Sequence, residues 1–294
     1  NNEAAEVTVE VLKTASAIKA QYSDENPMIL ESVDYSGNAA FNRNNFRALY
    51  FMLRAGIECG DLYNDFMNSA IGQIENKEMK AAYNNLETYS ALILLCKANG
   101  DSPKLKFIKQ GMNLNEKLIA CYDSYDATAW ETFNPYYYNQ VASALNAAMK
   151  EETIESIKAD IKNRRQELLT KLWGSCKNSE ETGYGFDYWG LSPDNDGTVL
   201  PALKYYDEEA KIGTAGTEVT VSQENVNEFI EKTIDYEKAT YLKDGYVADG
   251  GYGANTNSTG LMLENLANFA TADTVTAKVF HALLTYKEKD ASGL

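Results

Sequence analysis

Gly183-Tyr184-Gly185-Phe186, followed after a polar loop by Asp196-Gly197-Thr198-Val199-Leu200-Pro201-Ala202-Leu203, is the stretch that decides the fold, because it occurs twice. The second copy has Gly251-Tyr252-Gly253-Ala254 and then Ser258-Thr259-Gly260-Leu261-Met262-Leu263-Glu264-Asn265-Leu266. Gly197 aligns with Gly260, and the leucines that follow them align too. A unit of one turn and one apolar helix leaves its apolar face uncovered unless it stacks on neighbouring units. The pattern therefore predicts an array of helical repeats.

Helical periodicity extends over most of the chain, since apolar residues recur at three- and four-residue spacing. The predicted helices cover 7–18, 46–53, 62–74, 86–96, 108–122, 138–149, 154–173, 198–206, 226–241, 261–269 and 275–286. Only 212–221 has strand character. No change in composition marks a second domain. We therefore predict one all-α domain over residues 1–294, an α/α toroid of about eleven to twelve helices.

The composition limits the classes of partner. The chain has 294 residues, 44% of them hydrophobic, and a formal net charge of −16. Nucleic acids and anionic membrane surfaces need clustered Lys and Arg, so neither is an expected partner. No apolar segment approaches the roughly 18 residues that a membrane-spanning helix needs, so direct membrane insertion is not expected. The charge is typical of a solvated, acidic protein surface.

The four cysteines, Cys59, Cys96, Cys121 and Cys176, are isolated in the sequence and form no C-x-x-C motif. Cys59 and Cys96 lie in apolar helical stretches, where a free cysteine acts as a small hydrophobic residue. A disulfide framework is not expected at this density, although a single pair stays open.

The two repeats carry a family resemblance. Glu181 to Phe186, Asp194-Asn195-Asp196-Gly197 and Ala202 to Tyr206 resemble the repeat of the terpenoid cyclase and protein prenyltransferase α/α-toroid superfamily, and Ala248 to Ala267 resembles the next repeat. Two upstream segments, Phe46 to Gly56 and Thr88 to Pro103, are similar to earlier helices of that group. Their order is most similar to toroid domains of bacterial cell-surface proteins, related in shape to transcobalamin and intrinsic factor. The resemblance covers residues 40–290.

The chemistry of that superfamily is not retained in the sequence. The acid motif of the triterpene cyclases, Asp-x-Asp-Asp, has its nearest match in Asp194-Asn195-Asp196-Gly197, where Gly replaces the last Asp. We interpret Asn195 or Asp196 as the cap of the following helix. The prenyltransferase zinc site needs Asp, Cys and His, but His281 is the only histidine and no cysteine is near it in sequence. The thioester motif of complement proteins is absent, because Cys59-Gly60 is followed by Asp61-Leu62. No metal, cofactor or catalytic residue is predicted.

A pair of loop carboxylates leaves one enzymatic alternative open. Many α/α barrels are glycoside hydrolases or lyases, and hydrolases need only two acids at a suitable separation. Asp187, Asp194, Asp196 and Asp249 lie in loops at predicted helix starts. A chain with 43 acidic residues contains such a set by chance, so a carbohydrate-active enzyme is the alternative and not the leading interpretation.

Aromatic residues concentrate at the junctions between loops and helices. Tyr and Trp combine a flat apolar face with a polar tip, which suits sugars, peptides and partner proteins. The alternative is that these rings fill the centre of the barrel. The first repeat has the longer segment between its glycines, 185–197 against 253–260, so we interpret Tyr188 and Trp189 as part of an insertion. The candidate ligand-binding residues are Tyr188, Trp189, Phe186, Tyr184, Tyr252, Tyr137, Asp194 and Asp196.

The leading prediction is a non-catalytic binding or scaffold module of a bacterial surface protein, with a glycan, a peptide or a small apolar molecule as its ligand. The extracellular location follows from the resemblance and from chain ends that look cut, with a signal peptide and an anchor expected outside the chain. A third alternative is a small-ligand carrier that resembles the cobalamin-binding toroids. Those carriers clamp their ligand with a second, β-rich domain, which this chain lacks.

Overall fold

The computed structural model describes residues 2–23, 25–34, 36–76, 80–207, 209–212, 218–248, 253–270 and 274–289. The chain is mostly helical with small antiparallel hairpins, which confirms the predicted predominance of helices. It divides into two compact units, one formed by Asn1–Glu131 and Ala144–Ile161 and the other by Thr132–Ser143 and Lys162–Leu294.

The first unit is built around apolar helices. Its elements in chain order are α1 (Asn2–Lys19), β1 (Glu31–Val33), β2 (Ala39–Phe41), α2 (Arg43–Arg54), α3 (Gly60–Glu75), α4 (Lys80–Tyr83), α5 (Leu86–Ala98), a 3-10 turn (Ile108–Gln110), α6 (Leu114–Asp123) and α7 (Ala127–Glu131). Helix α5 is buried at Leu86 and continuously from Thr88 to Cys96. It begins where the Asn85 side chain accepts a hydrogen bond of 2.9 Å from the backbone N–H of Thr88, as a helix cap does.

The second unit repeats an order of helix, hairpin and helix. Its elements, with the two helices that the division crosses, are a 3-10 turn (Pro135–Tyr137), α8 (Tyr138–Glu151), α9 (Glu155–Gly174), β3 (Cys176–Ser179), β4 (Gly183–Phe186), α10 (Pro193–Val199), a 3-10 helix (Leu200–Tyr205), β5 (Ala210–Ile212), β6 (Val219–Val221), α11 (Gln223–Thr240), β7 (Leu242–Lys243), β8 (Tyr246–Val247), α12 (Thr256–Phe269) and α13 (Thr274–Lys289). The hairpin β3–β4 connects α9 to α10, and β7–β8 connects α11 to α12. The sequence repeat is therefore also a structural repeat.

The helices α10 and α12 begin in register. Ser192 caps α10 and Asn255 caps α12, and each cap precedes the aligned Gly197 or Gly260 by the same number of residues. The residue before each glycine fastens the preceding hairpin. Asp196 Oδ1 accepts from the backbone N–H of Phe186 at 2.7 Å, and Thr259 Oγ1 accepts from that of Val247 at 3.1 Å.

Two predictions about this region were wrong. The cap of α10 is Ser192 and not Asn195 or Asp196, since Ser192 Oγ accepts from the backbone N–H of Asn195 at 3.1 Å. The helix predicted over 198–206 begins earlier, at Pro193, and continues from Leu200 as a 3-10 helix. Pro201 lies inside this run and has no N–H for an α-helical hydrogen bond, which accounts for the change.

The prediction of a single strand-like stretch was also wrong, because the described residues form hairpins at β1–β2, β3–β4 and β7–β8 besides β5–β6. The predicted turn Gly183 to Phe186 is itself strand β4. The hairpin before α12 is β7–β8, whereas Gly251 and Tyr252 lie outside the described residues. The helix predicted over 108–122 is divided by Gly111, whose φ of +69° is left-handed.

The turn of the β7–β8 hairpin gives a test of this packing. Asp244 and Gly245 have φ values of +54° and +86°, as in the two-residue turns that Asp-Gly favours. A Cβ on Gly245 would lie 2.9 Å from the carbonyl oxygen of Lys278. We expect Gly245→Ala to lower the free energy of unfolding by about 2 to 3 kcal/mol, in urea denaturation, because backbone strain and a steric clash add.

Gly37→Ala is the matched control for this substitution. Gly37 has a similar φ of +81°, but a Cβ there meets nothing within 4 Å. We expect it to cost about 1 kcal/mol, from strain alone. Equal losses for the two variants would show that the contact with Lys278 does not restrict residue 245.

Candidate binding site

The loop between β4 and α10 presents an exposed tryptophan. Trp189 is 91% exposed, and its φ of +60° is in the left-handed region. This conformation is uncommon for any residue except glycine and costs on the order of 1 to 2 kcal/mol. Such a conformation persists only where contacts with the surrounding structure hold the backbone in place.

The support comes from Asn195, which is only 3% exposed. Its Nδ2 donates to the carbonyl oxygens of Tyr188 and Gly190 at 3.0 and 2.8 Å, on the two sides of Trp189. Its Oδ1 accepts from the hydroxyl of Tyr136 at 2.9 Å. One buried amide therefore uses both donors and its acceptor to hold the loop around Trp189.

Further hydrogen bonds hold the two ends of the loop. Asp187 Oδ1 accepts from the backbone N–H of Gly190 at 3.0 Å, and the carbonyl oxygen of Leu191 accepts from the hydroxyl of Tyr241 at 3.0 Å. Asp187 also forms an ion pair with Lys177, at 3.4 Å. The position of Trp189 is thus fixed by bonds before, at and after it.

Three aromatic rings form a continuous surface, which we call the Trp189 platform: Tyr136, Tyr188 and Trp189. The rings of Tyr188 and Trp189 stack with centroids 4.5 Å apart and planes 21° apart. The ring of Tyr136 meets Tyr188 edge to face at 5.6 Å. Stacked rings with one open face offer a flat apolar surface to a ligand.

A carboxylate lies near the platform in sequence. Asp194 precedes Asn195 in the first turn of α10, and its Oδ2 accepts from Asn257 Nδ2 of α12 at 2.6 Å. Asp194 is half-buried. One oxygen of this carboxylate therefore contributes to the contact between α10 and α12, and the other is buried.

The remaining predicted site residues are distributed differently. Phe186 and Tyr137 are buried, and Phe186 packs against Tyr138 with centroids 6.4 Å apart. Tyr184 is half-buried beneath Lys232, whose Nζ lies 5.5 Å from the ring centroid. Tyr252 lies outside the described residues. The structure brings Tyr188 and Trp189 together and makes Phe186 and Tyr137 part of the core.

Asp196 is part of a buried pair of carboxyl groups. Asp196 on α10 is 1% exposed and Glu237 on α11 is 0% exposed. Burial raises the pKa of Asp196 to about 8, against the opposing effect of hydrogen bonds from Phe186 and Glu237. Burial also raises the pKa of Glu237 well above its usual range, and the charge of Asp196 adds to that rise. The two carboxyl groups influence each other's ionisation, so the folded pair retains a proton at pH values where isolated carboxyl groups would have lost theirs.

The partners of this pair come from neighbouring elements. Asn265 Nδ2 of α12 donates to Glu237 Oε2 at 3.1 Å. The thiol of Cys176 on β3 lies near Asp196, and burial, with a smaller effect of the Asp196 charge, raises the pKa of this thiol. Within the described ranges, no Lys, Arg or His forms an ion pair with Asp196 or Glu237. The pair is therefore stable as a neutral or singly charged unit.

This pair does not have the geometry of a glycosidase. Such enzymes separate their two carboxyl groups by about 5 to 10 Å in an open cleft. Asp196 and Glu237 are both closed to solvent, so a substrate cannot reach them.

Metal-binding and thiol groups are dispersed in the part of the chain that the structure describes. There, no three side chains of His, Cys, Asp and Glu come together as a metal site. All four cysteines are free thiols, and His281 is exposed beside Phe280. Across the same residues, no helix has the length and hydropathy needed to cross a membrane.

A separate cavity of about 460 Å³ lies beside the β7–β8 hairpin. Its lining is Lys243, Asp244, Tyr246, Ala248, Ala254 and Tyr286. None of these residues belongs to the Trp189 platform or to the carboxyl pair. The candidate binding surface and the carboxyl pair are therefore both separate from this cavity.

Comparisons of the chain with protein-family models, with curated proteins and with solved structures found no match.

The sequence interpretation missed the residues that organise the site. Glu237 continues the apolar stripe Val226, Phe229, Ile230, Thr233 and Ile234 of α11, and a carboxyl at such a position signals a buried acid. Asn195 was considered only as a cap. The insertion predicted for the first repeat is also wrong. The segment from the end of β4 at Phe186 to the helix cap Ser192 is shorter than the segment from the end of β8 at Val247 to the helix cap Asn255. The platform belongs to the shorter of the two connections.

Proposed function

We propose that this chain is a non-catalytic binding module that holds a neutral glycan on the Trp189 platform. The observation that carries the proposal is that the buried amide of Asn195 holds the loop on both sides of Trp189, a residue with a strained backbone and an exposed side chain. Strain and apolar exposure of this kind persist where binding offsets their cost. The flat open face of Trp189 suits the apolar face of a sugar ring, and the partly exposed carboxylate of Asp187 in the same loop can accept from its hydroxyl groups.

The charge of the protein favours a neutral ligand. With a formal net charge of −16, the chain repels anionic glycans as well as nucleic acids. The peptide and small apolar ligands predicted from the sequence would use the same rings. Hydroxyl-rich ligands fit better, because the platform lies on an exposed loop that also carries the carboxylate of Asp187, and not in an enclosed apolar pocket.

We place this module in an α/α toroid of an extracellular bacterial protein. Two observations support the toroid: the resemblance of the repeats to that superfamily, and the order of helix, hairpin and helix that the second unit repeats. The extracellular location rests on the resemblance alone. Among the described loop acids, Asp196 is buried and Asp187 is engaged by Lys177 and Gly190, which does not favour the enzymatic alternative. Asp249 lies outside the described residues.

A glycan microarray tests the proposal. We expect the wild-type protein to bind a set of neutral glycans and Trp189→Ala to lose at least about tenfold in affinity, as loss of a central aromatic contact does. The melting temperature should change little, because the side chain is 91% exposed.

The control for this substitution is Val219→Ala, which removes another exposed apolar side chain of the second unit, 66% exposed. It should bind as the wild type does. The proposal fails if the wild-type protein binds no glycan, or if Trp189→Ala binds as tightly as the control. Binding of peptides in place of glycans would keep the platform and overturn its assigned ligand.

A further inference from the structure

We infer that the Asp196–Glu237 pair makes the Trp189 platform sensitive to pH: the platform is held while the pair keeps its shared proton and loosens when the pair loses it. This inference rests on the proposed function, because it concerns the regulation of the same surface. The mechanical part of the inference can nevertheless be tested without any ligand.

The first step is the connection between the pair and the loop. Asp196 Oδ1 accepts from the backbone N–H of Phe186, the last residue of β4, at 2.7 Å. Asn195, the residue next to Asp196, holds the loop at Tyr188 and Gly190. The start of α10 therefore fastens both the beginning of the loop and its centre, and a displacement of Asp196 affects both attachments.

The second step is that Asp196 has little room to move while the unit is closed. A Cβ on Gly185 would lie 2.7 Å from Asp196 Oδ2 and 2.9 Å from Oδ1, so the carboxyl group is packed against the backbone of β4. Glu237 is its buried neighbour from α11. Repulsion between the two acids therefore acts on the start of α10, where Asp196 has little room to turn away.

The third step concerns the charges around the pair. The groups that face it are Glu237 on α11, the amide of Asn265 on α12, the backbone N–H of Phe186 on β4 and the thiol of Cys176 on β3. In the described ranges these include no cationic side chain. A second negative charge would thus be buried beside the first without compensation, which strongly disfavours the closed arrangement.

The sign of the pH dependence follows from linkage. In the closed unit the carboxyl pKa values are raised, whereas in an opened unit they return to about 4. Opening therefore releases protons at pH values between about 4 and 8, and the opening constant rises about tenfold per pH unit for each proton released. The loop that carries the platform should therefore open rarely in mildly acidic solution and more often as the pH rises.

Native-state hydrogen exchange of the Phe186 and Gly190 amides, measured by NMR from pH 5 to 8.5, tests this inference. After correction for the intrinsic exchange rate, we expect the wild-type protection to fall by about tenfold or more per pH unit. In Asp196→Asn/Glu237→Gln, which holds no titratable proton, the corrected protection should not depend on pH. Glu237→Gln alone provides a second variant and should have a smaller pH dependence than the wild type.

Asp235→Asn is the matched control, because it removes an exposed acid from the same helix. It should keep the wild-type pH dependence. A wild-type protection that does not change with pH, or a double variant that keeps the wild-type dependence, would overturn the inference.

Affinity for the best array glycan at pH 5.5 and 8 then separates the two proposals. If the pH dependence of amide protection requires Asp196 and Glu237 but no glycan binds at either pH, the proposed function fails. The coupling between the pair and the loop then stands. If glycan binds equally at both pH values, the platform binds and the regulation fails.

Discussion

We expect Gly197→Ala to destabilise the second unit by about 3 kcal/mol or more, in urea denaturation, because residue 197 is the closest approach of α10 to α12. A Cβ at this position would lie 2.0 Å from the carbonyl oxygen of Leu261 and 2.4 Å from its carbonyl carbon. Backbone atoms cannot rotate out of the way as a side chain can. The two helices would have to separate, and the hydrogen bond between Asp194 and Asn257 would lengthen with them.

Gly260→Ala is the control that the repeat itself provides. Gly260 aligns with Gly197, lies inside α12 and would place its Cβ where nothing is within 4 Å. Since alanine is the better helix former, this variant should be unchanged or more stable by about 1 kcal/mol. Similar losses for both glycines would mean that α10 and α12 do not pack as closely as the structure has them.

The second large effect should be a fall in the free energy of unfolding as the pH rises from 5 to 8. In the unfolded chain Asp196 and Glu237 ionise near pH 4, whereas burial makes the folded pair retain at least one proton in this window. The unfolded state therefore binds fewer protons in this window, and stability declines by up to about 1.4 kcal/mol per pH unit for each proton retained. Below pH 4 both states are protonated and the cost vanishes.

The contribution of the pair is isolated by comparison with Asp196→Asn/Glu237→Gln. The two proteins should differ least near pH 4, and the double variant should gain on the wild type steadily from there up to pH 8. Urea denaturation at half-unit pH intervals measures the difference, so that other titrating groups cancel. A stability difference that is independent of pH would contradict the burial of a shared proton.

How much the sequence could predict differs between the repeat and the site. The alignment of Gly197 with Gly260 identified two equivalent helices, because the residues at the start of a helix form a pattern that is recognisable in the sequence. The sequence of the β7–β8 turn also contains its signal, since Asp244-Gly245 favours a two-residue hairpin. Strand β4 was read as a turn because its two glycines masked the alternation of Tyr184 and Phe186.

The site was predictable in part. Trp189 and Tyr188 were singled out by residue type, for a reason that the structure corrects: the connection that carries them is the shorter one. Asp196 was read as a cap because Asp is common at helix starts, while Ser192-Pro193 is the stronger signal of the true start. The pairing of Asp196 with Glu237 depends on how α10 and α11 pack, which no local pattern in either segment contains.

Fluorine NMR of the protein labelled with 5-fluorotryptophan tests the central claim, that Trp189 is the ligand-contacting residue, most directly. The chain has 3 tryptophans, and Trp189→Phe identifies the resonance of the exposed one. The protein is titrated with the neutral oligosaccharide that binds most tightly on the array. We expect the Trp189 resonance to shift or broaden while those of Trp130 and Trp173 change little. Binding of the oligosaccharide with an unchanged Trp189 resonance would contradict it.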